Sequence, residues 1–179
     1  EKAPATGKKV ALVGAGPASL ACAYELSKLG HEAIIFEKSE RLGGLNTSGI
    51  APYKMRAETA LSEASRLVEE AGIRVEYGRE LAKNVDLANL RKQYDAVFLG
   101  LGLGEDSRLE LEGAHAPGVR GAVEWISEYK IAECSDDTRK AYAAMECALV
   151  VGGGNTALDA CRELKRLGIK RVVVSYRRG

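Results

Sequence analysis

The cysteines of this chain form no recognisable pair. Cys22, Cys134, Cys147 and Cys161 include no C-x-x-C, and the two histidines, His31 and His115, stand at no ligand spacing from them. That pattern excludes a zinc site and a thiol redox pair. It leaves buried or incidental thiols, as in a reducing compartment, so the expected location is cytoplasmic and no metal is expected. An excess of one charge is also missing: 26 Lys and Arg stand against 25 Asp and Glu, a net +1. Neither nucleic acid nor an anionic membrane is therefore an expected partner. Long apolar runs are absent, and a stretch such as AVFLGLGLG is too short to span a bilayer. The opening EKAPATGKK has no apolar core and reads as a polar lead-in over residues 1–8, not as a signal peptide. What remains is 179 residues at 46% hydrophobic content, enough for one ordinary domain or two small or incomplete ones.

Glycine is plentiful, and its placement carries the information. KKVALVG is a short apolar run that stops at glycine, the pattern of a buried strand. PASLACAYELSKLG follows at helical spacing, with Pro17 in the first turn and Gly30 as the stop. EAIIFEKSE is a second strand ending in acid, so the segment reads as one βαβ unit. RLGGLNTSGIAPYKM reads as a loop. After it come a helix over 57–71, a strand IRVEYG, a helix near 86–92, the strand AVFLGLGLG, a loop, a helix near 120–131 and a polar helix or connector over 134–146.

At LVVGGGNTALDACRELKRLGIKRVVVSYRRG the first unit recurs. Gly14 and Gly16 lie 138 positions before Gly152 and Gly154, and Glu37 lies 138 before Ser175. Two such turns in matched settings predict two dinucleotide sites. In each, the first glycine permits the bend, the second lets backbone approach a pyrophosphate, and a small third residue lets helix pack on strand. The phosphates would sit on free N–H groups at the positive end of the helix dipole. The first turn is Gly14-Ala15-Gly16-Pro17-Ala18-Ser19, with serine in the third place and Glu37 positioned to take the hydroxyls of an adenosine ribose. The second is Gly152-Gly153-Gly154-Asn155-Thr156-Ala157. Its strand tip carries Ser175 in place of an acid, then Tyr176, Arg177 and Arg178. Two guanidinium groups without a carboxylate favour the 2′-phosphate of NADP over NAD.

VALVGAGPASLACAYELSKLGHEAIIFEKSERLGGLNTSGIAPYKM resembles the FAD-binding start of the glutamate synthase small-subunit and dihydropyrimidine dehydrogenase flavoprotein group, and LVVGGGNTALDACRELKRLGIKRVVVSYRRG is similar to that group's NADPH-binding segment. The GGLNTSGIAPYKM loop is more like the pyrimidine-reducing members than the glutamate synthase members. The resemblance implies an α/β fold of two Rossmann-like units of the glutathione reductase type, both incomplete: an FAD-binding part over 9–118 and the start of an NAD(P)H-binding domain over 119–179. It implies that Gly14, Gly16, Pro17, Ala18 and Ser19 hold the FAD pyrophosphate and Glu37 the ribose, with Lys38 beside it. Gly44 and Leu45 match the stretch passing the flavin. Lys54 stands where the group often has an arginine contacting FAD, and Gly102 where backbone meets the cofactor. Gly152, Gly154, Asn155, Thr156, Arg177 and Arg178 match the NADP contacts.

The implied activity is electron input: hydride from NADPH, or NADH, to FAD, then single electrons to iron–sulfur clusters of a partner domain or subunit that reduces the final substrate. Such a reaction needs no catalytic acid, base or nucleophile from the protein, and none is assigned. Disulfide reductases of similar plan carry a cysteine pair after the glycines, which GGLNTSGIAPY lacks, so direct disulfide reduction is not expected. The chain also stops just past the second strand of its second unit, so a piece of a larger flavoprotein is expected, with cofactor affinity reduced and strand edges open. The alternatives are a non-catalytic nucleotide-binding fragment and a flavin oxidase or monooxygenase. The second glycine turn argues against the latter.

Overall fold

Residues 2–104, 106, 109–131 and 136–177 are described by a computed structural model. They fall into two units: Glu1–Thr47 with Ala57–Gly104, and Ser48–Arg56 with Glu105–Gly179. The division falls earlier than the expected 118/119 boundary. The chain also leaves the first unit after Thr47, lends Ser48–Arg56 to the second, and returns at Ala57.

In the first unit the apolar runs become β1 (Lys9–Val13), β2 (Glu32–Glu37), β3 (Arg74–Tyr77) and β4 (Ala96–Leu99). All pair in parallel, in the order β3-β2-β1-β4. The central strands are covered on both faces, and so they lack polar alternation. Val10, Leu12, Ala33 and Ile35 pack on one face with Leu20 and Ala23 of α1 (Pro17–Lys28) and Ala64 of α3 (Ala57–Ala71). On the other face Ala11, Val13, Ile34 and Phe36 meet Val85 and, from α4 (Leu87–Gln93), Leu90. Leu12, Ile34 and Ile35 are fully buried, each contributing roughly 1.5–3 kcal/mol relative to exposure. Asp86 caps α4, its carboxylate accepting from the N–H groups of Ala88 and Asn89. The loop expected at 41–55 contains one short helix, α2 (Leu45–Ser48).

The second unit contains α5 (Ala122–Ile131), α6 (Asp136–Ala143), β5 (Cys147–Val151), α7 (Asn155–Arg166) and β6 (Arg171–Ser175). β5 and β6 pair in parallel, α7 making the crossover. Trp125, Ile126, Val150, Ala157, Ala160 and Leu167 form its core. The indole of Trp125 stacks on Tyr129 and donates its N–H to Tyr142 Oη at 2.7 Å. The polar stretch expected over 134–146 is thus partly α6, none of whose residues is buried. The opposite face of the β-pair is bare: Leu149 is 63% and Val151 54% exposed. No helix among the described residues is long and apolar enough to cross a membrane.

Candidate functional site

The order β3-β2-β1-β4 reverses direction at β1, which places a crevice beyond the carboxyl ends of β1 and β4. The first glycine turn lines it. Gly14 donates its N–H to Phe36 O at 2.8 Å, and Gly100, just past β4, donates to Val13 O at 2.9 Å. At φ +94° Gly14 presses against β4, and a Cβ there would stand 2.5 Å from the carbonyl oxygen of Gly100. Gly16 caps α1 without a side-chain bond, and a Cβ on it would meet nothing within 4 Å. Pro17 has no N–H, and helix geometry leaves those of Ala18 and Ser19 without intrahelical acceptors. Open space beside Gly16, facing first-turn N–H groups and a positive helix end, suits a pyrophosphate.

Glu37 is buried at the tip of β2. Its Oε2 accepts from Ala15 N–H at 2.6 Å and its Oε1 from Ser39 N–H at 2.8 Å. Each oxygen keeps a lone pair for a ribose hydroxyl. Lys38 beside it is exposed. Gly43 donates to Ala15 O at 2.9 Å, and Gly44 lies against Gly16, where a Cβ would come 3.0 Å from the Gly16 Cα. Leu45 is half-exposed. A Cβ on Gly102 would meet nothing within 4 Å; Gly100, at the same glycine-rich strand end, packs closely against Gly14 and Ser19, an approach the sequence reading did not single out. Ser19 is buried and its Oγ has no hydrogen-bond partner.

The second turn repeats the first. Gly154 caps α7 at φ −81°, ψ 175°, against −74°, 175° for Gly16. Gly152 has positive φ, and Asn155 and Thr156 are exposed at the helix start. The strand tip differs from the sequence-based alignment. Val13 pairs with Phe36, and Val151 with Ser175. Likewise Gly14 donates to Phe36 O, and Gly152 donates to Ser175 O at 2.8 Å. Ser175 therefore matches Phe36, and Tyr176 occupies the station of Glu37. The equal linear spacing of Glu37 and Ser175 is corrected by one residue, because Ile169 and Lys170 fill the α7–β6 connection where His31 alone precedes β2. Arg177 is exposed one step beyond; Arg178 lies outside the described residues.

Lys54 sits in the Ser48–Arg56 segment of the second unit, its Nζ 2.6 Å from Asp159 Oδ1 on α7. Tyr53 donates its hydroxyl to the same oxygen at 2.5 Å, and the Arg162 guanidinium lies 4.2 Å from the Tyr53 ring centre. Burial pushes the Asp159 carboxyl up, but hydrogen bonds from Lys54 and Tyr53 outweigh it and hold the group below the usual carboxylate range. Asp159 and Arg162 were legible as same-face residues of a helix, three apart; their partner segment was not. The Lys54 ammonium is engaged here by Asp159. Burial pushes the thiols of Cys22 and Cys161 up, away from the reactive thiolate. Cys134 lies outside the described residues. No metal-binding cluster occurs among the described residues.

A family model described as pyridine nucleotide-disulphide oxidoreductase matches residues 8–179. The chain belongs to this family. It is 39% identical over 97% of its length to the glutamate synthase [NADPH] small chain of Escherichia coli (strain K12), of which it spans 37%. It is 33% identical over 97% of its length to the NADP(+)-dependent formate dehydrogenase subunit beta of Moorella thermoacetica, of which it spans 24%. Among solved structures, Mycobacterium tuberculosis FprA in complex with NADPH superposes at a TM-score of 0.76, with 25% identity over 96% of this chain and 44% of that one. The chain thus spans less than half of each of these relatives.

Proposed function

We propose that the chain is an NAD(P)H-dependent flavoprotein module whose first turn binds FAD and whose second binds NADPH, with NADH the weaker donor. The observation that carries this reading is the pair of matched glycine turns, equal in cap geometry but opposite in strand-tip chemistry: a buried carboxylate at Glu37, and Tyr176 followed by Arg177 at the other. Gly14, Gly16, Ala18 and Ser19 receive the FAD pyrophosphate, Pro17 presets the first helical turn beside it, Glu37 takes the ribose, and Gly44 and Leu45 lie alongside. Gly152, Gly154, Asn155 and Thr156 do the same for NADPH, and Arg177 with Arg178 takes the 2′-phosphate. Lys54 is reassigned from an FAD contact to an anchor for its own segment.

Bound FAD supplies a two-electron acceptor for hydride and a one-electron donor to iron–sulfur clusters. The chain's residues bind and orient the two dinucleotides, and no side chain moves a proton. Relatives whose names specify NADPH or NADP(+), and which are small or beta subunits, support the donor and the reading that electrons leave to an iron–sulfur partner domain or subunit. The same input serves a glutamate-synthase-type or a pyrimidine-reducing partner. The test is the double variant Arg177→Ala, Arg178→Ala. The ratio of NADPH to NADH affinity should fall at least about tenfold, roughly 1.4 kcal/mol; an unchanged ratio contradicts the assignment.

A further inference from the structure

We propose that Tyr176 is the residue through which the second turn chooses between phosphorylated and unphosphorylated nicotinamide cofactors. This rests on the reading that the second turn binds NADPH. The strand registers and the two carbonyl acceptors, Phe36 O and Ser175 O, agree in setting Tyr176 at the station of Glu37. The shift of one residue matters because neighbouring strand residues point to opposite sheet faces. Phe36 packs into the α4-side core, whereas Glu37 turns to the glycine turn and binds Ala15 N–H. By the same alternation Ser175 belongs to the wrong face to meet a ribose, and Tyr176 to the right one.

The contacts of Tyr176 bear this out. Its ring lies over Gly153, the residue equivalent to Ala15, so closely that a Cβ on Gly153 would stand 2.2 Å from the ring Cδ2. Each strand tip therefore touches the middle residue of its own turn, one with a carboxylate and one with an aromatic face. This also accounts for the sequences of the turns. Ala15 keeps its methyl because the Glu37 carboxylate reaches only its N–H, while Gly153 must be bare to admit the ring. A carboxylate at the station holds both ribose hydroxyls and repels a 2′-phosphate. A neutral ring removes that repulsion and leaves the neighbouring Arg177 to attract the anion. Tyr176 is 59% exposed, so its replacement does not empty a core.

The two registers make opposite predictions for two adjacent substitutions. Tyr176→Glu should weaken 2′,5′-ADP at least thirtyfold while ADP binds as well as before or better, measured by calorimetry on the full flavin-loaded protein. Ser175→Glu should change the ratio of the two less than threefold. Tyr176→Asp provides a second acid should the glutamate variant fold poorly, and unfolding curves accompany each variant. The NADPH-to-NADH ratio of kcat/KM with a dye acceptor should follow the same order. Retained 2′,5′-ADP preference in both folded acids at 176, or a larger shift from Ser175→Glu, overturns the inference while leaving the NADPH reading intact. A parent protein that prefers ADP to 2′,5′-ADP overturns both.

Discussion

Substituting alanine for each of two glycines in the first turn should separate folding from binding. Gly14→Ala places a methyl at φ +94° with its carbon 2.5 Å from the Gly100 carbonyl oxygen. The backbone strain alone costs about 1–3 kcal/mol, and the end of β4 must shift to relieve the contact, an overpacking cost of about 1–3 kcal/mol. A combined loss of about 3 kcal/mol is a large share of a stability near 5–15 kcal/mol, and at roughly 2–4 °C per kcal/mol it lowers Tm by about 10 °C. Gly16→Ala differs in kind. Its φ of −74° and ψ of 175° suit any residue, and its Cβ meets nothing within 4 Å. The cost to folding is only that of a poorer N-cap, about 0.5–1 kcal/mol. The methyl nevertheless projects into the space assigned to the pyrophosphate, so affinity for FAD should fall tenfold or more. Urea unfolding of both variants, with calorimetric titration of FAD into each, reads the two effects separately. Parental stability in Gly14→Ala, or equal destabilisation by Gly16→Ala, would refute the geometry on which the site is built.

Two further outcomes follow from the same structure. Asp159→Asn should destabilise the protein at pH 7. The folded carboxyl lies below its ordinary value, so its contribution is present above the unfolded pKa near ~4 and disappears as pH falls through the lower folded one; the gap between parent and variant should therefore close on acidification in a pH series of thermal melts. Ser19→Ala removes a buried hydroxyl that has no partner, so it should be neutral or stabilising within about 1 kcal/mol. A loss above 2 kcal/mol on chemical denaturation would show that the hydroxyl is satisfied in the folded protein.

Much of this architecture was legible in the chain. The strands buried on both faces announce themselves as unbroken apolar runs, and the helix over 57–71 follows from its periodicity. The turns were legible because glycine spacing records a steric demand. What escaped depended on distance or register. Gly100 matters only because β4 returns beside β1, a non-local pairing that no local pattern encodes. Counting residues matched Glu37 to Ser175, whereas hydrogen bonding matched it to Tyr176, since one added residue in a connection leaves both flanking patterns intact. Lys54 was matched to a flavin contact by resemblance; what the sequence did not show is that its segment packs in the second unit, where the half-buried Tyr53–Asp159 hydrogen bond anchors it.

The most direct test of the account is the visible spectrum of the protein loaded with FAD and titrated anaerobically with NADPH. Two competent dinucleotide turns predict a bound-flavin spectrum whose absorbance near 450 nm bleaches on NADPH addition, faster than with equal NADH. A bound flavin that stays oxidised under excess NADPH would contradict the electron-input function.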